Sequence, residues 1–81
     1  SFVINCVDQK EIDYFWDTLT ADGGRESMCG WLKDKYGLSW QVVPVDIPAL
    51  MTGPKANDVM QAVMQMKKLD LGKLRKAAGL E

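Results

Sequence analysis

Histidine is absent from this 81-residue chain, which removes the commonest protein zinc ligand and the commonest general base. Cysteine is scarce. Cys6 and Cys29 are not spaced as C-x-x-C and cannot hold a structural zinc by themselves. Both sit at strand-like positions among apolar neighbours, so the expectation is two buried, reduced thiols rather than a disulfide or a nucleophile. Net charge is nearly absent too: ten Lys and Arg face eleven Asp and Glu. That leaves no basic footprint for a nucleic-acid partner. No apolar run reaches the length of a membrane span, and no signal-peptide pattern opens the chain. The expectation is a cytoplasmic protein with neither a membrane nor a nucleic acid as partner. No glycine-rich phosphate cradle is present either, because Gly23-Gly24 follows a helical pattern instead of opening one. Ser1 and Ser39, lacking a histidine to act as base, are not activated nucleophiles. Repeats and low-complexity segments are absent.

A chain this short buries roughly 60–65% of its unfolded surface, so its core is marginal and a staple, metal or partner chain is expected. It opens at Ser1 directly into a strand, with no initiator Met or lead-in. An amputated or processed N-terminus, or a missing N-terminal module, is therefore among the expectations.

What is present begins with CGWLKDKYGLSWQVVP, residues 29–44. Apolar segments 28–33 and 38–43 flank Asp34-Lys35-Tyr36-Gly37, whose Asp and Gly suit the two ends of a tight turn. Leu38, Trp40 and Val42 alternate with Ser39, Gln41 and Val43. A four-residue loop over 34–37 places Trp31 opposite Trp40 across the hairpin.

Ahead of this hairpin, residues 1–7 read as a strand with Phe2, Ile4 and Cys6 on one face and Ser1, Val3, Asn5 and Val7 on the other. Asp8 and Glu11 have capping-box spacing, and Ile12, Phe15, Trp16 and Leu19 form one apolar helical stripe. The Gly23-Gly24 pair stops that helix, and residues 25–27 suit a short strand. Residues 1–44 thus spell β-α-β-β-β, with a right-handed crossover making the first two strands run the same way. The helix stripe then covers the face carrying Phe2, Ile4, Leu38, Trp40 and Val42. Pro44 and Pro48 close off the sheet. Residues 55–68 predict a helix with Ala56, Val59, Met60, Val63 and Met66 or Lys67 in its stripe and Met64 widening the apolar arc. It packs either on its own sheet or on a second subunit; the amount of apolar helix favours the second. Asp70 caps a last helix over 71–78, ending at Gly79. Lys67, Lys68, Lys73, Arg75 and Lys76 there read as a solvated face rather than an anion patch, since no aromatic residue is interleaved.

The face away from the first helix carries Ser1, Val3 and Asn5, then Ser39, Gln41 and Val43. Uncharged polar groups among valines suit a semi-apolar ligand surface. They suit a dimer core or a solvated face equally well.

The words SFVINCVDQKEIDYFWDTL, ADGG, CGWLKDKYGLSWQVVP and AVMQMKKLDLGKL together resemble the C-terminal half of PhnB-like proteins. That group is placed in the vicinal oxygen chelate superfamily with glyoxalase I, bleomycin-resistance proteins and extradiol dioxygenases, and is also labelled 3-demethylubiquinone 3-methyltransferase-like. The resemblance implies an α+β fold: one glyoxalase-like βαβββ module over residues 1–46, its mixed four-stranded sheet in the order 1-4-3-2. Residues 47–81 would be a C-terminal helical extension packing on the sheet or on a partner subunit. It also implies that two modules pair edge to edge into a ligand-holding bowl, here as a homodimer. The family's metal positions fall on Ser1 and Gln41, where His or Gln and then Glu are usual. Serine and glutamine oxygens make a poor divalent-metal site, so no cofactor is expected. The expected function is binding of a small organic molecule, with Asn5, Ser39 and Gln41 supplying hydrogen bonds and Trp31 an apolar wall if the register turns it inward. No catalytic residue is assigned. The rivals are a metal-dependent lyase, isomerase or dioxygenase, the methyltransferase of the group's label, and a purely structural dimerisation module.

Overall fold

The structure, a computed structural model, describes residues 2–80. In chain order the elements are β1 (Phe2–Cys6), α1 (Gln9–Thr20), β2 (Arg25–Glu26), β3 (Trp31–Lys33), β4 (Ser39–Pro44), α2 (Ile47–Leu50), α3 (Ala56–Met64) and α4 (Leu71–Ala77). The four strands form one mixed sheet in the order β1-β4-β3-β2, with β1 parallel to β4 and the other pairs antiparallel. This is the α+β, βαβββ architecture that the pattern predicts.

Helix α1 starts where the chain leaves β1 because Asp8 is a good N-cap: its Oδ1 accepts from the Glu11 N–H at 2.9 Å. Glu11 reaches back, and its Oε1 accepts the Val7 N–H at 2.9 Å. The stripe then buries Ile12 and Trp16 against Cys6, Leu32 and Val42, with Ile4, Phe15, Leu19 and Trp40 packed around them. Full burial of each large apolar side chain contributes about 1.5–3 kcal/mol. The indole N–H of Trp16 is not stranded, since it donates to Glu26 Oε1 at 2.8 Å and so ties α1 to the short edge strand. At the other end Gly24 is obligatory: a Cβ there would lie 2.6 Å from the Leu19 carbonyl oxygen.

Three expectations fail at the hairpin. Trp31 does not face Trp40; it pairs with Gln41, while Leu32 pairs with Trp40. The reason is the turn. Asp34 N–H donates to the Leu38 carbonyl at 2.9 Å and Gly37 N–H to the Asp34 carbonyl at 2.9 Å, with Gly37 left-handed at φ +83°. A loop of this kind, closed by a left-handed glycine, is one residue out of register with the four-residue loop. A one-residue slip moves every side chain of β3 to the other face. Leu38 accordingly lies in the turn, exposed, rather than on the helix-covered face. The strand expected over 28–33 is also shorter, because Cys29 and Gly30 take positive φ and donate their N–H groups to the Met66 and Lys67 carbonyls at 2.7 and 2.9 Å. Cys29 is thus a half-buried turn residue, not a buried strand residue.

Residues 45–80 build a second small core: Leu50, Val59, Leu69, Leu71 and Leu74 are buried, with Val43, Ile47, Val63 and Met66 against them. The helix expected over 55–68 is only Ala56–Met64, since the Met66 and Lys67 carbonyls are spent on the Cys29–Gly30 turn and the chain must straighten there. Met60 and Met64 consequently face water. Helix α2, unforeseen, forms around Pro48 in its first turn, where a missing N–H does no harm. Asp70 does cap α4, accepting from the Lys73 N–H at 3.1 Å, and Gly79 follows at φ +78°.

This helical segment docks on its own module. Gln9 Nε2 donates to the Leu69 carbonyl at 3.1 Å and to Asp13 Oδ1 at 3.0 Å, while Gln9 Oε1 accepts the Leu71 N–H at 2.7 Å. Two of the basic residues read as a solvated face are paired, Lys68 with Asp13 at 3.0 Å and Arg75 with Asp46 at 2.9 Å. Each such exposed pair contributes about 0.2–1 kcal/mol. Leu69 packs on Gly30, where a Cβ would come within 3.2 Å of the Leu69 side chain. Gln9→Ala leaves the Leu71 N–H without its side-chain acceptor. It is expected to cost about 1–3 kcal/mol in urea denaturation and to speed hydrogen exchange at Leu71 ahead of the sheet amides.

Candidate functional site

Helix α1 covers one face of the sheet, and the register defines the other. Trp31 lies beside Gln41, and Gln41 beside Val3. One pair toward the turn, Arg25, Lys33 and Ser39 stand in a row across β2, β3 and β4. One pair the other way, Asn5 sits beside Val43. Because side chains alternate along a strand, these rows share the face away from α1. Val43, at one end of this face, packs against the second core, while Arg25 and Lys33 at the other end are exposed.

The sequence-predicted residues are therefore partly assembled. Trp31 and Gln41 are direct cross-strand neighbours and both half-buried; Ser39 is half-buried one pair away; Asn5 is exposed at the far end, where Val43 meets the second core. Ser1 lies outside the described residues. Among the described residues, the side-chain hydrogen bonds tie down Gln9, Trp16, Asp34 and Trp40 but engage none of Asn5, Ser39 and Gln41. Those polar groups are available to a ligand.

Arg25 and Lys33 belong to this face and escaped the sequence reading. With the hairpin one residue out of register, Lys33 falls on the wrong side. The signal that places it correctly is the Asp34…Gly37 spacing read as a bulged turn rather than a four-residue loop.

Two cavities lie near the turn end of the sheet. A cavity of about 120 Å³ lies on the helix side, lined by Thr18, Leu19, Asp34 and Tyr36 among others. Another, about 280 Å³, lies at the turn end and is lined by Gly23, Arg25, Lys33, Asp34, Lys35 and Gly37. Neither is lined by Asn5, Gln41 or Trp31.

The donors present do not suit a divalent metal. Gln41 offers one neutral amide oxygen in the middle of β4, and among the described residues no three His, Cys, Asp or Glu side chains come together. A methyl donor of the nucleotide type fits no better at the β1–α1 junction. That junction is Val7-Asp8, without glycine, and its helix N-terminus is already occupied by the Asp8 and Glu11 carboxylates.

A model of the 3-demethylubiquinone-9 3-methyltransferase family matches residues 1–43, more than half of the chain. The chain belongs to that family. It is a family of the glyoxalase type, and its module here is β1 through β4, since the match ends one residue before β4 does. The similar wording in residues 62–74 lies outside the matched stretch. No curated protein matches the chain.

Two titrations follow from the surroundings of the site. The Cys6 thiol is pushed up by burial, with the Glu11 and Asp8 carboxylates adding to the effect, so its thiolate is disfavoured. Ellman titration of the native protein is expected to modify Cys29 alone, with Cys6 reacting only after denaturation. The Asp34 carboxyl is held below its ordinary value, chiefly by the Trp40 indole N–H at 2.8 Å, with the Leu38 and Tyr36 N–H groups and Lys35 adding. A lowered folded-state pKa contributes stability that is fully present above the unfolded value of 3.8 and lost as pH falls through the folded one. Thermal melts of wild type and Asp34→Asn are therefore expected to differ most near neutral pH and to converge as pH falls through the lowered folded-state value.

Proposed function

We propose that the face carrying Trp31, Gln41, Ser39 and Asn5 binds a small organic molecule, and that a second copy of the module, paired along β1, walls the site into a bowl. The observation that carries this reading is a sheet face bearing half-buried polar side chains with no intramolecular partner, beside an indole. Polar groups of that kind around an apolar wall are what orient a small ligand. Pairing through β1 is supported by its free outer edge, since β1 is hydrogen-bonded only to β4, and by Val3 and Val7 at 55% and 63% exposure. An open, apolar edge strand is a ready template for a second strand. The opposite edge, β2, is two charged residues long and offers far less.

The PhnB-like wording and the vicinal-oxygen-chelate assembly agree with this reading. The methyl transfer named in the family description finds no support in the described residues, and a metal-dependent lyase, isomerase or dioxygenase would need donors from a further N-terminal half or from residues outside the described ones. Sequestration of a ligand without turnover suits a lining that holds neither a nucleophile nor a general base. The two free thiols suit a reducing compartment such as the cytoplasm.

Sedimentation and fluorescence test both halves of the proposal. The protein is expected to sediment as a dimer, and Val3→Lys to shift it to monomer. Aromatic fragments are expected to quench indole emission, with Trp31→Ala weakening binding about tenfold (~1.4 kcal/mol). A stable monomer that binds no fragment overturns the reading.

A further inference from the structure

We propose that the ligand of this face carries an anionic group, a carboxylate or a phosphate, seated between Arg25 and Lys33 with its apolar part toward Trp31. The proposal rests on the small-molecule reading of the face and specifies what kind of molecule it takes.

The first observation is the register. Arg25 is directly opposite Lys33 across the β2–β3 pair, and Lys33 is directly opposite Ser39 across β3–β4. Like charges directly opposite on one sheet face repel and destabilise the pairing unless something of opposite sign lies between them. Among the described residues, no ion pair does so. The ion pairs among the described residues engage Lys68 and Arg75 and leave Arg25 and Lys33 out. Glu26, the neighbour of Arg25, points to the other face, where it accepts from the Trp16 indole.

Asp34 is the one carboxylate among the residues lining the cavity at this end, and it is already spent. Its Oδ1 accepts from the Tyr36 and Leu38 N–H groups at 2.9 and 3.0 Å, and its Oδ2 from the Trp40 indole at 2.8 Å. Its charge offsets one cation at most, whereas Arg25, Lys33 and Lys35 all line the cavity at this end of the sheet. The chain as a whole is one charge negative, so this local excess of positive charge is a matter of placement and not of composition.

The second observation is room. The cavity of about 280 Å³ includes Gly23 and Gly37 in its wall, positions with no side chain to fill it. It adjoins Lys33, and two residues along β3 on the same face stands Trp31. A planar guanidinium and an ammonium beside a Ser39 hydroxyl make a seat for a carboxylate or phosphate oxygen pair. The indole then lies about one side-chain repeat along the strand, roughly 7 Å, which matches the span between an acid group and an aromatic ring.

The test is an NMR titration of the full chain with 2-naphthoate, 2-naphthyl phosphate and the neutral 2-naphthamide. At least one anion is expected to bind about tenfold more tightly than the amide. The tighter of the two identifies carboxylate or phosphate as the preferred group. Amide shifts should run from Arg25, Lys33 and Ser39 to Trp31. Arg25→Gln and Lys33→Gln, made separately on exposed positions, should each lose most of that advantage. Added salt should shrink the advantage further. An amide that shifts Trp31 and binds as tightly as both anions overturns the anionic seat and leaves the small-molecule face standing. Failure of all three probes to perturb Trp31 overturns both.

Discussion

The carboxylate of Asp34 sets the register on which the rest of the sheet depends. It accepts two turn N–H groups and an indole N–H at once, so the loop between β3 and β4 has a single conformation that leaves Gly37 left-handed. With the loop fixed, Leu32 and Trp40 share the face under α1, and Trp31, Lys33 and Gln41 share the other. A slip of one residue would bury Trp31 and Lys33 under the helix and put Leu32 in water. A turn stabilised by three hydrogen bonds to one charged group therefore decides both the core and the candidate site.

The two cores meet at the Cys29–Gly30 turn. The βαβββ module buries a wide stripe of α1 under the sheet, and the following helices bury five aliphatic side chains of their own. Neither is large. Backbone hydrogen bonds from Cys29 and Gly30 to Met66 and Lys67, the Gln9 amide and two ion pairs join them into one unit. Joining them this way covers the Val43 end of the far face and leaves Arg25 and Lys33 at its other end exposed.

Membership of a family named for methyl transfer does not by itself assign a chemistry, because function resides in the site rather than the fold. The junction that would hold a methyl donor is closed by two carboxylates, and the middle of β4 offers an amide rather than a metal ligand. What the module does present is a polar, unpartnered surface with an indole and two cations. That surface is suited to holding a molecule.

The residues by themselves determined the order of the four strands with α1, α3 and α4, the Asp8 and Asp70 caps, the Ile12–Trp16 stripe and the mixed sheet. These follow from near-neighbour chemistry: a carboxylate finds the N–H three residues on, and apolar positions repeat at the period of their element. Asn5, Ser39 and Gln41 could be assigned to one face for the same reason, since alternation within a strand is local. The partners of Trp31 and Lys33 could not, because they depend on a loop whose length hangs on hydrogen bonds to Asp34. Only the folded chain decided that Met66 and Lys67 leave their helix to cap a turn 37 residues upstream of each. Only the folded chain set Arg25 opposite Lys33. Pairings across strands and between distant segments are chosen by the whole structure at once, and no short stretch of sequence carries that choice.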